Sequence, residues 1–438
     1  MSGTTMGVTT TSKTFTPMTF APLNLSRYLL WSGFALLLIV APLVFSKGAL
    51  LWTLSQIGIA MILGLSYNML LGQGGMLSFG HAVYSGLGAF CAIHMMNHAG
   101  VHVPTTLIPL VGGVAGMFFG VLFGYVTTRK SGTTFAMITL GLVELVFAGS
   151  LMFPEFFGGE GGLTTNRVRG EVLFGLSYGP QIQVYYLIAL WLFLSTIAMF
   201  AFTQTPLGRM LNAVRDNPER VEFVGYDTQW VRYLTLILAA FFAGISGGLS
   251  AINFEIVSAE NVSAIRSGGV LLFVFIGGIG FFFGPLLGAI VGIFFSVMLS
   301  EHTEAWQLYL GLFFILLVRF APAGLASLIM MLVRVAAFGK IGRIWRSLLA
   351  LSLFCLLGAV GFVVGVEMMY KLTLASADGS VMSVFGQSLD AASAGPWLLV
   401  AGLIGAAIVG YRKLQPGYAE LWGDVNGEIL AHQLTGAA

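Results

Sequence analysis

The chain has 438 residues, of which 57% are hydrophobic and only 9% are charged. Soluble domains carry roughly 25% charged residues, so this composition excludes a soluble enzyme, a nucleic-acid-binding protein and a disordered scaffold. The length accommodates about ten to twelve membrane spans of roughly 20 residues joined by short loops. The sequence therefore predicts an all-α polytopic membrane protein.

Twelve apolar segments of spanning length or slightly less follow one another along the chain. The first begins too late and runs too long for the h-region of a cleaved signal peptide, so we expect a retained span behind an N-terminal tail, residues 1–27. Residues 267–300 fit either one broken element or two short spans. The twelve segments are 28–45, 51–71, 80–97, 107–126, 134–153, 183–202, 233–254, 267–283, 285–300, 306–320, 347–370 and 397–411.

The distribution of positive charge predicts the orientation. With the N-terminus in the cytoplasm, 15 of the 20 Lys and Arg residues lie on the cytoplasmic side. The opposite orientation would reverse that ratio, against the positive-inside rule. The predicted cytoplasmic loops after the N-terminal tail are 127–133, 203–232, 319–346 and 411–438.

Glycine makes up 58 of the residues, nearly twice its usual share of about 7%. The clearest pattern is Gly112, Gly116, Gly120 and Gly124, a ridge along one helix face that predicts close packing in lipid. Two glycine-rich interruptions, 71–81 and 277–285, separate apolar runs in the two halves of the chain. Paired interruptions indicate a midplane pathway in transporters, although tight turns between short helices are an equally good interpretation.

The loop at 203–232 carries eight formal charges in a chain that has few. Its apolar residues recur in a patchy amphipathic pattern that Pro218 interrupts. The pattern predicts two short helices at the membrane surface, which would offer a docking face to a cytosolic partner. A solvated loop resting on lipid headgroups is the alternative.

Few polar side chains lie inside the apolar segments. Glu144 is the acidic residue placed well inside a span, where a carboxylate costs roughly 2.5–3.5 kcal/mol on insertion scales. Gly141 and Ala148 share its helix face, so we expect a packed, interior position. Glu144 either lines a substrate path or bonds a neighbouring helix. His81, after the first interruption, either borders a cavity or is a satisfied histidine in a packed face.

Enzymatic and metal chemistry are not indicated. His94, His98 and His102 follow helical spacing, but no carboxylate or thiolate accompanies them, and we predict no metal or cofactor. Cys91 and Cys355 lie in separate apolar segments and are interpreted as small hydrophobic residues. The sequence contains no P-loop, so this chain does not bind ATP in that way.

Four stretches together resemble a known family, the permeases of bacterial ABC importers for branched-chain amino acids, in their LivM-like branch. Residues 28–330 carry the resemblance. Asn68–Ala82 reads NMLLGQGGMLSFGHA, Thr205–Gly225 reads TPLGRMLNAVRDNPERVEFVG, Gly277–Ala289 reads GGIGFFFGPLLGA, and Arg319–Leu325 reads RFAPAGL.

The resemblance implies a type II-like ABC importer permease core of about eight to ten spans. It also implies a second, homologous permease, two cytosolic ABC ATPases and a periplasmic substrate-binding protein as partners, with ATP hydrolysis on the partner chains. Substrate would cross between the two permeases of the bacterial inner membrane. The expected ATPase-coupling residues in the loop 203–232 are Arg209, Arg215, Asp216, Asn217, Glu222 and Gly225. The expected path residues are Gln73, Ser78, His81 and Glu144.

The chain departs from the family in two places. Residues 73–76 are more glycine-rich than the usual variant, which weakens substrate inference. Residues 331–438 form an extension, with a basic linker, about two extra spans and an amphipathic cytoplasmic tail. Relatives transport urea, amides and organic acids, so the substrate stays open between these and branched-chain amino acids. The alternative function is a stand-alone secondary transporter or channel, for which Glu144 alone offers a coupling residue.

Overall fold

The structure, a computed structural model, describes residues 25–45, 47–98, 103–169, 176–373, 381–384 and 387–435. Most of the predicted N-terminal tail, residues 1–24, lies outside the described residues. The chain divides into two units, and the described part of the first is helix α1 (Leu25–Val44). The second unit begins at Lys47 and contains all the elements described below.

The second unit is built almost entirely from helices. Each predicted apolar segment corresponds to a helix, which confirms the all-α prediction. Within the described residues, seven helices are long and apolar enough to cross a membrane, or eight if the bent pair α13–α14 is counted as one span. The helices are α2 (Gly48–Gly74), α3 (His81–His98), α4 (Ile108–Thr127), α5 (Gly132–Met152), α6 (Pro154–Phe157), α7 (Gln181–Gln204), α8 (Pro206–Asp216), α9 (Pro218–Phe223), α10 (Thr228–Phe254), α11 (Ala264–Gly277), α12 (Gly284–Ile293, continued as a π-helix over Phe294–Leu299), α13 (Trp306–Phe320), α14 (Leu325–Ala337), α15 (Ile341–Thr373) and α16 (Ala394–Thr435).

Helix α10 lies at the centre of the bundle, since 83% of the residues in an apolar 18-residue stretch of it are buried. The predicted glycine ridge on α4 packs against it. A Cβ atom on Gly116 would lie 2.3 Å from the carbonyl oxygen of Ala240, and one on Gly112 would lie 2.5 Å from that of Gly244. The two backbones therefore approach more closely than any side chain at these positions allows, which confirms the prediction.

Both glycine-rich interruptions are true breaks between helices. Gly75, in the left-handed conformation with φ +63°, ends α2, and α3 begins at His81. Gly277 ends α11, and α12 begins at Gly284. The helices α11 and α12 fold back on each other, since a Cβ on Gly288 would lie 1.7 Å from the Phe273 carbonyl oxygen. Residues 267–300 are therefore two short helices and not one broken element.

Segments predicted to share a side of the membrane also meet in the structure. Strand β1 (Leu163–Thr164) pairs antiparallel with β2 (Ile256–Val257), which joins two predicted outer loops. On the opposite side, the loop 203–232 contacts the break after α2. We call these the outer side and the inner side. A second hairpin, β3 (Val381–Val384) with β4 (Gln387–Asp390), follows α15.

The extension differs from its prediction in two respects. The expected basic linker is largely helical, because α14 extends to Ala337 and α15 already begins at Ile341. Arg334 and Arg343 thereby fall within helices. The last span and the tail form one continuous helix, α16, although Pro416 lies inside it. Pro416 and Gly417 are typical of a helix end, but the helix continues through them, so no loop separates the span from the tail.

Candidate functional site

The loop 203–232 folds as two short helices with well-defined caps. Thr205 begins α8, its hydroxyl accepting a hydrogen bond from the Gly208 N–H at 3.2 Å. Asn217 begins α9, with Oδ1 accepting from the Arg220 N–H at 3.0 Å. Side-chain caps of this kind satisfy otherwise unpaired N–H groups. The structure thus confirms the two helices and their separation at Pro218.

Helix α8 is attached to the end of α2. Arg215 Nη1 donates to the Gly72 carbonyl at 2.6 Å, and Asn212 Nδ2 donates to Gln73 Oε1 at 2.9 Å. The Arg215 stem lies directly over Gly75, where a Cβ would be 2.9 Å from Arg215 Cγ. A cation at a helix C-terminus also interacts favourably with the helix dipole.

The end of α2 in turn contacts the second break. Asn68 Nδ2 donates to the Phe281 carbonyl at 3.4 Å, and a Cβ on Gly72 would lie 2.5 Å from the Ile279 carbonyl oxygen. Gly278 packs against Gly324, before α14. The two breaks, far apart in sequence, therefore lie side by side near α8. The sequence identified both but gave no sign of their contact.

Most of the predicted coupling residues make contacts within the chain. Asp216 pairs with Arg215 at 3.0 Å, and Glu222 Oε1 accepts from the Thr228 hydroxyl at 2.9 Å. Gly225, with φ +93°, forms the turn after α9 and has open space around its Cα. Arg209 is exposed beside a cavity of about 370 Å³.

The inner surface also presents exposed apolar side chains that are not among the predicted coupling residues. Phe223 is 91% exposed and Val224 is 71% exposed, at the end of α9. Tyr226 and Trp230 follow in the same loop and are about half exposed. We call these four residues the α9 patch. The sequence feature that could have identified this patch is the presence of bulky apolar residues in a highly charged loop.

Three of the predicted path residues lie around the first break. His81 is fully buried, with Nε2 2.9 Å from Ser66 Oγ and its ring edge-on to Tyr67. The Ser78 carbonyl accepts from Tyr67 OH at 2.8 Å. Gln73 instead contacts α8, as described above. The break also touches α5, because the Phe79 N–H donates to Thr139 Oγ1 at 3.1 Å.

Glu144 is separate from these three residues. It lies on α5 about 7.5 Å along the axis from Thr139, on a face where Gly141 and Ala148 are also exposed. The predicted packing of this face is therefore not made by contacts within the described part of the chain. The buried positions of α5, including Val143 and Ser150, lie on another side of the helix.

The described part of the chain contains no group of three or more His, Cys, Asp or Glu side chains placed to hold a metal ion. His94 Nε2 is engaged at 2.7 Å by the Phe156 carbonyl, and His98 Nδ1 lies 3.2 Å from the His94 carbonyl. His102 lies outside the described residues.

Comparison with known proteins agrees with this architecture. The family model described as branched-chain amino acid transport system / permease component matches residues 49–321. The high-affinity branched-chain amino acid transport system permease protein LivM of Escherichia coli K12 is 30% identical over 306 residues, covering 65% of this chain and 71% of LivM. LivM of Salmonella typhimurium LT2 is 29% identical over 314 residues, covering 66% of this chain and 73% of that protein.

A sugar permease also matches. The fructose import permease protein FrcC of Rhizobium meliloti is 25% identical over 245 residues, which cover 48% of this chain and 62% of FrcC. No solved structure matches the chain significantly. The family model covers most of the chain, including both breaks and the loop 203–232, and so confirms the resemblance seen in the sequence motifs. The chain belongs to the family of branched-chain amino acid transport system permease components and is a multi-pass ABC transporter permease.

Proposed function

We propose that this chain is the LivM-like permease subunit of a binding-protein-dependent importer in the bacterial inner membrane. It pairs with a homologous second permease, receives substrate from a periplasmic binding protein, and is driven by two cytosolic ABC ATPases. The observation that carries the proposal is the position of α8 and α9. Their inner surface is free to contact a partner, while α8 is bonded to the break between α2 and α3.

The α9 patch is the proposed ATPase contact. Phe223 and Val224 are adjacent and both largely exposed. Exposed apolar residues next to one another mark interaction sites on protein surfaces. Arg209 on α8 adds an exposed charged group to the same loop. Arg215, Asp216, Asn217 and Glu222 support the docking helices from within, since each has an intramolecular partner.

The translocation path is proposed along the exposed face of α5 that bears Glu144. A carboxylate facing hydrocarbon is costly, so this face must meet protein or water in the assembly. A second permease opposite α5 supplies both, with substrate passing between the two chains. Ser78 and His81 support the path from behind, because Thr139 links their break to α5. Gln73 is proposed to act at the coupling end of the break instead.

The proposed substrates are branched-chain amino acids or related small polar solutes. Two relatives are permeases of branched-chain amino acid transport systems, and one is a fructose import permease. The excess of Lys and Arg in the inner loops supports a cytoplasmic N-terminus. In this proposed orientation, α8 and α9 lie in the cytoplasm. This location is a requirement for ATPase docking.

The test is recovery of the ATPases with the tagged chain, followed by ATP-driven uptake in liposomes. Phe223→Asp should abolish ATPase recovery while the chain inserts normally, because Phe223 is nearly fully exposed. Val168→Asp, on the outer side and 48% exposed, is the matched control for ATPase recovery. Uptake by the chain alone, without ATP or partners, would establish the secondary transporter instead. In the same uptake assay, inhibition by leucine, urea or fructose as a competing substrate would identify the solute class.

A further inference from the structure

The C-terminal extension does not close against the permease core. A cleft of about 1290 Å³ separates α13 and the preceding π-helical turn from the α15–α16 pair. Its walls are mainly aromatic and aliphatic, and include Phe295, Phe313, Phe354 and Phe362. This volume exceeds the roughly 300–1,000 Å³ of a typical small-ligand pocket. We call this cleft the lateral groove.

The groove is bridged at its outer end. There, Glu367 Oε1 of α15 accepts hydrogen bonds from the Thr303 hydroxyl at 2.6 Å and from Tyr309 OH at 2.8 Å. The opposite wall is a closely packed helix pair, since a Cβ on Gly410 of α16 would lie 2.2 Å from the Phe354 ring of α15. Glu428 of α16 also pairs with Lys340 and with Arg343, the latter at 3.2 Å, near the start of α15. The α15–α16 pair therefore forms one wall of the gap as a unit.

The groove is long enough to hold the acyl chains of one leaflet. Phe354 and Glu367 both line it and are 13 residues apart on α15, which is about 20 Å along the helix. That distance exceeds one leaflet of a hydrocarbon core about 30 Å thick. The mainly apolar walls offer few hydrogen-bond partners to water, so the cleft favours an apolar occupant.

The two ends of the groove differ in charge. Glu367 at the outer end already accepts two hydrogen bonds. The inner end carries Tyr411, Arg412 and Gln415, and among the described residues Arg412 forms no ion pair within 4.0 Å. A guanidinium with free donors at the membrane interface favours a phosphate. An apolar helix from a partner chain could also pack between the apolar walls. Such a helix does not by itself supply an anion for Arg412, whereas every phospholipid carries a phosphate.

We propose that the lateral groove binds a phospholipid of the inner leaflet, with its phosphate on Arg412 and its acyl chains between α13 and α15. A phospholipid combines the long apolar chains and the anionic headgroup that the two parts of the groove require. The bound lipid fills the gap between the extension and the permease core below the direct contact of Glu367 with Thr303 and Tyr309. This site is independent of the ATPase docking and the path proposed above.

The experiment measures phospholipid retained by the purified complex, using native mass spectrometry after addition of phosphatidylglycerol. Arg412→Gln should lower retention about tenfold, the size expected for loss of a charged hydrogen bond. Ala359→Phe, at an exposed position in the groove wall, should displace an acyl chain and lower retention as well. Lys413→Gln is the matched control, since Lys413 is adjacent and exposed but does not line the groove.

A second readout uses Cys355, an exposed thiol in the groove wall. In a Cys91→Ala background, added phosphatidylglycerol should slow alkylation of Cys355 by N-ethylmaleimide in delipidated complex, and Arg412→Gln should remove that protection. Equal retention in all variants, with Cys355 accessible throughout, would overturn the proposal. So would protection of Cys355 without lipid and only when the second permease is present, because a partner helix would then occupy the groove.

Discussion

Arg215 Nη1 donates a 2.6 Å hydrogen bond to the carbonyl of Gly72, 143 residues earlier in the chain. The bond closes the end of α2, where the Gly75 and Met76 N–H groups already satisfy the carbonyls of Leu71 and Leu70. Helix α8 is thus bonded directly to the residues that end α2. Since Gly72 also lies against Ile279, the same group of contacts includes the second break.

Arg215→Ala should uncouple transport from ATP hydrolysis. The substitution removes a charged hydrogen bond worth about 1.5–3 kcal/mol, and the side chain is 40% exposed, so we expect the lower end of that range. The α9 patch stays intact, and the ATPases should still bind. ATP hydrolysis in proteoliposomes should continue while uptake per ATP falls several-fold.

Lys130→Ala is the control for this experiment, because Lys130 is an exposed inner-side cation in the loop between α4 and α5. It should leave uptake per ATP unchanged. Loss of ATPase recovery in Arg215→Ala would contradict the supporting role and would make Arg215 a direct docking residue.

Asn217→Ala should destabilise α9 without affecting α8. The Asn217 side chain caps α9, and losing such a cap costs typically about 1 kcal/mol, which is large for a helix of six residues. We expect faster hydrogen exchange over residues 218–223 and weaker ATPase recovery. Asn217→Asp retains a capping oxygen and should behave like the wild type. Equal exchange in both variants would show that the cap does not stabilise α9.

The helices of the core could be predicted from the sequence because lipid imposes a hydropathy signal that survives without knowledge of packing. The ridge from Gly112 to Gly124 was predictable for a related reason, since four-residue spacing of glycine has few purposes other than close approach. The extent of α14 and α16 could not be predicted. Basic residues such as Arg334 suggested a loop, but they are compatible with an amphipathic helix at the membrane surface.

The sequence indicated which residues belong to the candidate site, but not how they are arranged in space. The loop motif singled out Arg215 and Asn217, but their partners depend on contacts far apart in sequence or on cap geometry. Glu144 illustrates a different limit. Small residues at helical spacing show that a face packs closely against something, yet they do not say whether that neighbour belongs to the same chain.

Gly116→Ala should destabilise the bundle, whereas Gly149→Ala should not. A Cβ at Gly116 would lie 2.3 Å from the Ala240 carbonyl oxygen, so the backbones of α4 and α10 must separate. Overpacking of this kind costs about 1–3 kcal/mol. A Cβ at Gly149 meets nothing within 4 Å, and alanine is better than glycine in a helix by about 0.8–1 kcal/mol. Thermal unfolding in detergent would show a lower midpoint for Gly116→Ala only, and equal midpoints would contradict the close packing.

Glu144→Gln tests whether the exposed face of α5 lines the path. The amide keeps the size and polarity of the side chain, but it removes the charge and replaces one acceptor oxygen with an NH2 donor. An assembled complex with reduced uptake would therefore separate transport from packing. We expect uptake of a zwitterionic solute to fall at least tenfold, since a charged hydrogen bond contributes about 1.5–3 kcal/mol. The matched control is Glu155→Gln, an exposed acid on α6 at the outer side. If both variants transport normally and the second permease is recovered with each, the Glu144 carboxylate has no part in the path. If Glu144→Gln instead loses the second permease, α5 is an interface helix whose carboxylate binds the partner and not the substrate.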